Sequence, residues 1–287
     1  MLKESLRMSL SNIKANKMRS FLTILGIIIG VMAIIALITV MESATGEGTA
    51  QFESLGTGKL TVQAGGTALK NGLRETDLRK IEALENVSGI SPTLSQSVSV
   101  VLDGELLEDV NAKGYGFAYF RHDPELVARG RPLVPVDFEQ QSRVCLIDSD
   151  LAHELFAGVE PVGMQLLIHG IRFTVVGLLA DPDVDDVFSM MQAGGGNGSL
   201  IMPYTTYMRL FGIKGVTGLE AYIADTSRTD DTVDALESLL DECFNYKDNS
   251  YSVINMENLL DVMDTMMGLM TNLLVGIASI ALLVGGI

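Results

Sequence analysis

Asp181, Asp183 and Asp185 stand at alternate positions, as the first ligands of a calcium-binding loop do. Oxygens at that spacing could wrap a hard cation, but such a loop also needs a glycine at its sixth position and a bidentate glutamate at its twelfth. Asp186 and Gln192 occupy those places, so the stretch reads as a solvated acidic loop. His153-Glu154 opens like the helix of a zinc peptidase, which needs a second histidine one turn later. Ala157 stands there instead. His122, His153 and His169 lie far apart in the sequence and lack the cysteine or acidic spacing of a metal site. The glycine-rich stretch 194–198 is not followed by the lysine of a phosphate-binding loop, and no G-x-x-x-x-G-K-[ST] or G-x-S-x-G pattern occurs. No catalytic residue, cofactor or metal is therefore expected, and the chain by itself is expected not to be an enzyme.

Cys145 and Cys243 are too few for a disulfide scaffold. Both sit among apolar neighbours, so buried thiols are the expected state, with a single bridge between them left open.

The elements that hold these residues are bracketed by two uncharged, mainly apolar runs, Phe21 to Met41 and Thr265 to Ile287. A helix of about 20 residues crosses a hydrocarbon core, so each run is long enough to be a transmembrane helix. Lys3, Arg7, Lys14, Lys17 and Arg19 precede the first run against the single acid Glu4, which places the N-terminus in the cytoplasm. A cleaved signal peptide is the competing reading, but its apolar core is usually about 7 to 15 residues and a small-x-small cleavage site should follow. Residues 42–264 are then extracytoplasmic. No charged residue closes the second run before Ile287, so the chain reads as truncated within or at the end of that helix.

Charge divides along the same line. Of 20 Lys and Arg and 36 Asp and Glu, the first 20 residues hold five and one, leaving 15 and 35 for the rest. So acidic an outer part repels nucleic acid and anionic headgroups, and suits a solvated domain or a cationic partner.

Within the outer region, Leu60, Val62 and Ala64 alternate as in a strand. Thr76 is placed to cap a helix carrying Leu78, Ile81 and Leu84, and Val98, Val100 and Leu102 form a further strand. Asp103-Gly104 predicts a hairpin turn into a strand over Glu105 to Val110. The βαβ order recurs at Leu219 to Ala224, a helix capped at Thr229 with Val233, Leu236, Leu240, Cys243 and Phe244 on one face, and Tyr251 to Ile254. The fold class is thus α/β, with two ferredoxin-like βαβ halves forming a porter-like layer over 42–113 and 216–255. Residues 114–215 read as a β-rich insert. Its strands are Arg143 to Ile147, Gln165 to Ile168, Ile171 to Leu178 and Ser199 to Met202, with a tight turn at His169-Gly170. Helices over Ser149 to Phe156 and Tyr204 to Phe211 interrupt them, and 181–198 is a long loop.

Leu2, Leu6, Leu10 and Ile13 among the basic residues of 1–20 predict an amphipathic helix on the inner membrane surface. From Asn255 a helix with apolar residues at spacings of three and four runs into the second span. Gly26 and Gly30 form a GxxxG in the first span, and Ala278, Ala281 and Gly285 give the second a face of small residues. These five are candidate helix-packing positions, since small side chains let backbones approach closely in lipid.

The stretch Leu10 to Val31, with Leu55 to Leu60, Ala152 to Phe156, Pro161-Val162-Gly163, Phe173 to Gly177, Ile201 to Thr206 and Ile280 to Ile287, resembles MacB-like and FtsX-like ABC transporter permeases over essentially the whole chain. The resemblance implies a periplasmic core domain between the first two of four spans. It also implies a cell-membrane location and a dimer with an ABC-type ATPase subunit. An extracytoplasmic adaptor protein is a further implied partner, with membrane lipid around the spans. The function implied is that of a permease subunit of an exporter or mechanotransmission complex. The other class that the layout allows is a membrane-anchored sensor or binding protein signalling through the second helix.

Overall fold

The computed structural model describes residues 58–67, 70–156, 158–181, 197–247 and 249–255, with scattered positions between 17 and 39 and between 262 and 276. Two compact units are present, one of Gly56–Met256 and one of Met1–Leu55 with Glu257–Ile287. In the latter, the described positions are helical, and apolar side chains such as Phe21, Ile28, Met266 and Leu273 are exposed. Among the described residues no helix is long and apolar enough to cross a membrane. Most of the N-terminal amphipathic segment, 182–196 of the long loop, Met256 to Asp261 and everything after Gly276 lie outside the described residues, as do parts of both predicted spans.

Gly56–Met256 is built on strands β1 (Lys59–Gln63), β2 (Val87–Leu102), β3 (Glu105–Tyr115), β4 (Val127–Gly130), β5 (Val144–Ile147), β6 (Gln165–Ile168), β7 (Ile171–Leu179), β8 (Ser199–Pro203), β9 (Gly218–Ile223) and β10 (Ser252–Asn255). The helices are α1 (Glu75–Glu82), α2 (Phe117–His122), α3 (Pro135–Glu139), α4 (Ser149–Phe156), α5 (Tyr204–Phe211) and α6 (Thr229–Cys243).

One end of the sheet runs β10-β1-β9-β2, with every neighbouring pair antiparallel. β1-α1-β2 and β9-α6-β10 therefore interlock, each unit's strands flanking a strand of the other, as in ferredoxin-like folds. Alternation sends Leu60 and Val62 of β1 and Leu219 and Ala221 of β9 toward Leu78 and Ile81 of α1 and Leu236 and Leu240 of α6, forming one core.

The remaining strands, except β4, which pairs only with β7, close on themselves. β2 pairs β3, β3 pairs β8, β8 pairs β5, β5 pairs β7, β7 pairs β6, and β6 returns to β2. Closure leaves a ring with no free edge inside it, and inward residues such as Val100, Cys145, Phe173, Val175 and Met202 fill it. β2 belongs to the ring as well as to the first layer, and β3, which lies before residue 114 except at its end, belongs to the ring. A third core lies on the ring's outer surface, where Phe120 of α2 and Phe138 of α3 cover Leu146 and Ile201. Tyr204 packs against all three cores.

Both hairpin turns form as the sequence predicts. Asp103-Gly104 and His169-Gly170 each hold two residues at positive φ (50° and 92°; 49° and 75°), the primed turn whose twist suits a two-residue loop. Other expectations shift. α1 is capped at Arg74 and not at Thr76, because the Asp77 carboxylate at the third helical position accepts the Arg74 N–H at 2.8 Å. α6 likewise starts with Thr229 already inside the helix, after a short 3-10 turn (Thr226–Arg228). β2 begins at Val87, eleven residues ahead of the apolar alternation, through a stretch of Ser, Gly, Pro and Thr that reads as loop. α2, α3 and β4 have no counterpart in the sequence reading, being too short to establish a period. α2 lies on β2 because Gly116 lacks a side chain: a Cβ there would meet the Ser91 Cα at 2.8 Å.

Candidate functional site

The face of the first layer opposite its helices carries polar side chains inside an otherwise apolar pattern. Because Lys59 pairs with Tyr222 and Thr61 with Glu220 in the β1–β9 register, these side chains share that face. Glu220 is buried there with both oxygens engaged. Lys59 Nζ donates to one at 3.1 Å and the Tyr222 hydroxyl to the other at 2.8 Å. His122 of α2 stacks on the Tyr222 ring at 4.5 Å, and Tyr119 stacks on Tyr115 at 4.1 Å. Burial, then the Glu220 charge, pushes the Tyr222 phenol well above its ordinary range. The phenol is held neutral and donating, so the group offers neither a nucleophile nor a free base. What it can do is fasten β1 to β9.

That fastening lies where the unit joins the rest of the chain. Leu60 at the start of β1 pairs with Asn255 at the end of β10, so the strand that brings the chain in and the strand that takes it out run side by side. Lys59 is next to this pair.

A second polar cluster joins the two helices of the same layer. Lys70 Nζ lies 2.6 Å from an Asp77 oxygen on α1, donates to the Cys243 carbonyl on α6 at 3.0 Å, and stands 5.0 Å from the Phe244 ring centre. The Cys243 thiol donates to the other Asp77 oxygen at 3.5 Å. Burial opposes ionisation of Asp77, but hydrogen bonds from Lys70 and the Arg74 N–H, with the Lys70 charge, outweigh it and hold the carboxyl below its ordinary value.

The sequence candidates are distributed as follows. Gly26 is exposed and Gly30 partly so, and a Cβ at either would meet no described atom within 4 Å. Ala278, Ala281 and Gly285 lie outside the described residues. Cys145 and Cys243 are both free. Cys145 is fully buried in the ring, where burial pushes its thiol up to about 12, whereas Cys243 is only partly buried, contrary to expectation, because α6 ends there. His122 is on Tyr222 and His169 edge-on to Phe211 at 5.2 Å. His153 borders a cavity of about 410 Å³ beside the Arg129–Glu160 ion pair. Among the described residues no group of His, Cys, Asp and Glu could hold a metal ion. Lys59, Glu220 and Tyr222 escape a linear reading, because only the strand register makes them neighbours; the one local signal is a charged residue at a strand position, Lys59 in β1 and Glu220 in β9.

Residues 20–239 match the model of the MacB-like periplasmic core domain. The chain is 31% identical over 300 residues to the macrolide export ATP-binding/permease protein MacB of Azoarcus sp. (strain BH72), covering 99% of this chain and 43% of that protein. It is 26% identical over 293 residues to an ABC transporter permease, YknZ, of Bacillus subtilis (strain 168), covering 99% of this chain and 72% of that protein. The chain thus spans less than half the length of the MacB relatives it matches. In solved structures, the periplasmic region of MacB from Actinobacillus actinomycetemcomitans superposes with a TM-score of 0.61 at 20% identity, over 73% of this chain and 94% of that one. The extracellular domain of YknZ from Gram-positive bacteria gives 0.57 at 18% identity, over 69% of this chain and all of that one. These two likenesses show a shared fold.

Proposed function

Because the chain belongs to the family of the MacB-like periplasmic core domain, we propose that it is part of a permease subunit of an ABC exporter or mechanotransmission complex. It moves a substrate from or across the membrane with ATP hydrolysed by a partner subunit. In this reading 21–41 and 265–287 are membrane helices, the N-terminus is cytoplasmic and 42–264 is extracytoplasmic. The porter-like part is 42–113 with 216–255, and 114–215 is the insert. The chain carries no catalytic group of its own, works with an ABC-type ATPase and a second permease copy, and presents its outer domain to an extracytoplasmic adaptor. Gly26, Gly30, Ala278, Ala281 and Gly285 serve as helix-packing positions.

The observation that supports this best is the pairing of Leu60 with Asn255. Two flanking helices joined to adjacent, antiparallel strands would pass a change in their separation directly to the layer above.

The test is co-expression of the gene, extended through its neighbouring reading frames, with any ABC-type ATPase that those frames encode, followed by affinity purification through the permease. Co-purification with ATP hydrolysis that a Walker-lysine variant of the ATPase abolishes is the expected result. Absence of any associated ATPase, together with labelling of introduced cysteines at positions 14 and 196 from the same side of intact cells, would overturn the proposal.

A further inference from the structure

The two ends of the sheet path are unlike. β4, at one end, is bulged between Val127 and Arg129, and its Arg129 side chain is held by Glu160 at 2.8 Å. A bulge and a charge are common guards of an open edge. β10, at the other end, pairs four residues with β1 in unbroken register and contains no charge, proline or bulge. Its backbone is left as a straight template.

The register shows which groups that template presents. Ala64 N–H donates to the Thr217 carbonyl and Ile223 N–H to the Gly58 carbonyl, each at 2.7 Å, so the even-numbered residues of β1 bond toward β9. Thr61 and Gln63 then bond toward β10, to Ile254 and Ser252. Val253, between those two, turns its N–H and C=O to the open side, where no described strand lies. Its side chain packs on the core beneath α6, whereas Ile254, on the other face, is 44% exposed.

α6 supplies a charged wall along this edge. Asp230, Asp234, Glu237 and Asp241 follow one another at spacings of four, three and four, which puts them on one stripe of the helix. The Tyr251 hydroxyl, just before β10, donates to the Glu237 carbonyl at 3.1 Å and to the Asp241 carboxylate at 2.8 Å, so the stripe borders β10. Glu242, on the opposite side, faces Lys80 of α1 at 3.5 Å. Like charges one turn apart disfavour a helix, and only Asp230, in the first turn, is offset by the helix dipole. Among the described residues no cation pairs with the stripe.

We propose that the β10 edge and the acidic side of α6 together are a docking site for an extended basic segment of another protein. The segment adds to the sheet as an antiparallel strand, its lysine or arginine side chains on the α6 face and its β-branched ones beside Ile254. Charge selects this occupant. A second copy of the chain, paired β10 to β10, would bring an equal acidic stripe against the first. The surface belongs to the Gly56–Met256 unit and does not depend on the permease reading.

The probe is a short fluorescein-labelled peptide of alternating lysine and valine, followed by anisotropy with the purified chain in one uncharged detergent. In antiparallel pairing the residue opposite Val253 shares its face and turns its own amide toward it, so the lysine amides carry the backbone bonds. N-methylation of the interior lysine amides is therefore expected to abolish binding, and N-methylation of the valine amides to leave it within about twofold. Both probes have the same charge, and the protein is unaltered. Asp234→Asn with Glu237→Gln, at exposed positions, should weaken the parent peptide about fivefold, as two exposed ion pairs allow. A peptide with glutamate in place of lysine, the charge that a second copy would bring, should not bind. Equal effects of the two methylations, unchanged affinity in the double variant, or equal binding of the glutamate peptide would each overturn the site. No ATPase enters the assay, so such a failure leaves the permease reading standing.

Discussion

At the scale of single residues, the pair Lys59–Glu220 sets the strongest constraint. Glu220 is 6% exposed, and its two oxygens are satisfied by Lys59 and Tyr222. A buried ion pair adds little over a well-packed apolar pair, but removing one partner strands the other, at a cost of about 3–5 kcal/mol. The Lys59 side chain is 22% exposed, so water relieves part of that cost. Lys59→Met is expected to destabilise the chain by about 3 kcal/mol. Lys59→Met with Glu220→Leu should recover most of the loss, because no charge is then left buried. Urea unfolding of the four members of this cycle measures both numbers. A neutral single variant would show that Glu220 is solvated after all.

At the scale of elements, α1 and α6 are held together over their shared core by the Asp77 carboxylate, which binds Lys70, the Arg74 N–H and the Cys243 thiol. Asp77 is lowered below its ordinary value, so the unfolded chain takes up the proton first as pH falls. The stabilisation it gives is therefore complete above about pH 4, the unfolded aspartate range, and is lost as pH drops through the lower folded value. Asp77→Asn should accordingly be less stable than the unaltered chain at pH 7, with the gap narrowing below pH 4. Denaturant midpoints at pH 7, 4 and 3 decide it. A gap of constant size across that range would mean that Asp77 acts by shape and not by charge. The same elements show how legibility depends on length. α4, α5 and β6 fall where apolar spacing places them, since each has enough residues or clear enough turns to fix a period. The five-residue α3 and the polar first half of β2 do not, because neighbours in space and not their own pattern make them regular.

At the scale of the whole molecule, the Gly56–Met256 unit closes most of its own sheet, and its two ends leave from paired strands. If the flanking runs are membrane helices, Gly26 and Gly30 lie on one face of the first. Helices in lipid gain little from apolar burial and depend on close backbone approach. Gly26→Leu or Gly30→Leu in the full permease with its ATPase should then lower dimer crosslinking several-fold, while Ile28→Leu, on the opposite side, leaves it unchanged. Insertion should be intact in all three, because leucine favours it. Equal crosslinking at matched expression would make these glycines ordinary lipid-facing positions.

Periodicity and turn chemistry settle what is local. The Leu60/Val62 alternation, the Asp103-Gly104 and His169-Gly170 turns and the one-sided apolar face of α6 follow from the sequence, because each is decided by residues within one or two turns of one another. The order of βαβ units and the family resemblance are legible for the same reason, being written along the chain. Long-range pairing is not. That β6 reaches back to β2 and closes a ring, that Lys59 meets Glu220 across 161 positions, and that Tyr204 stands between three cores all depend on strand register. Register is selected by the joint burial of many side chains, so no short segment carries it.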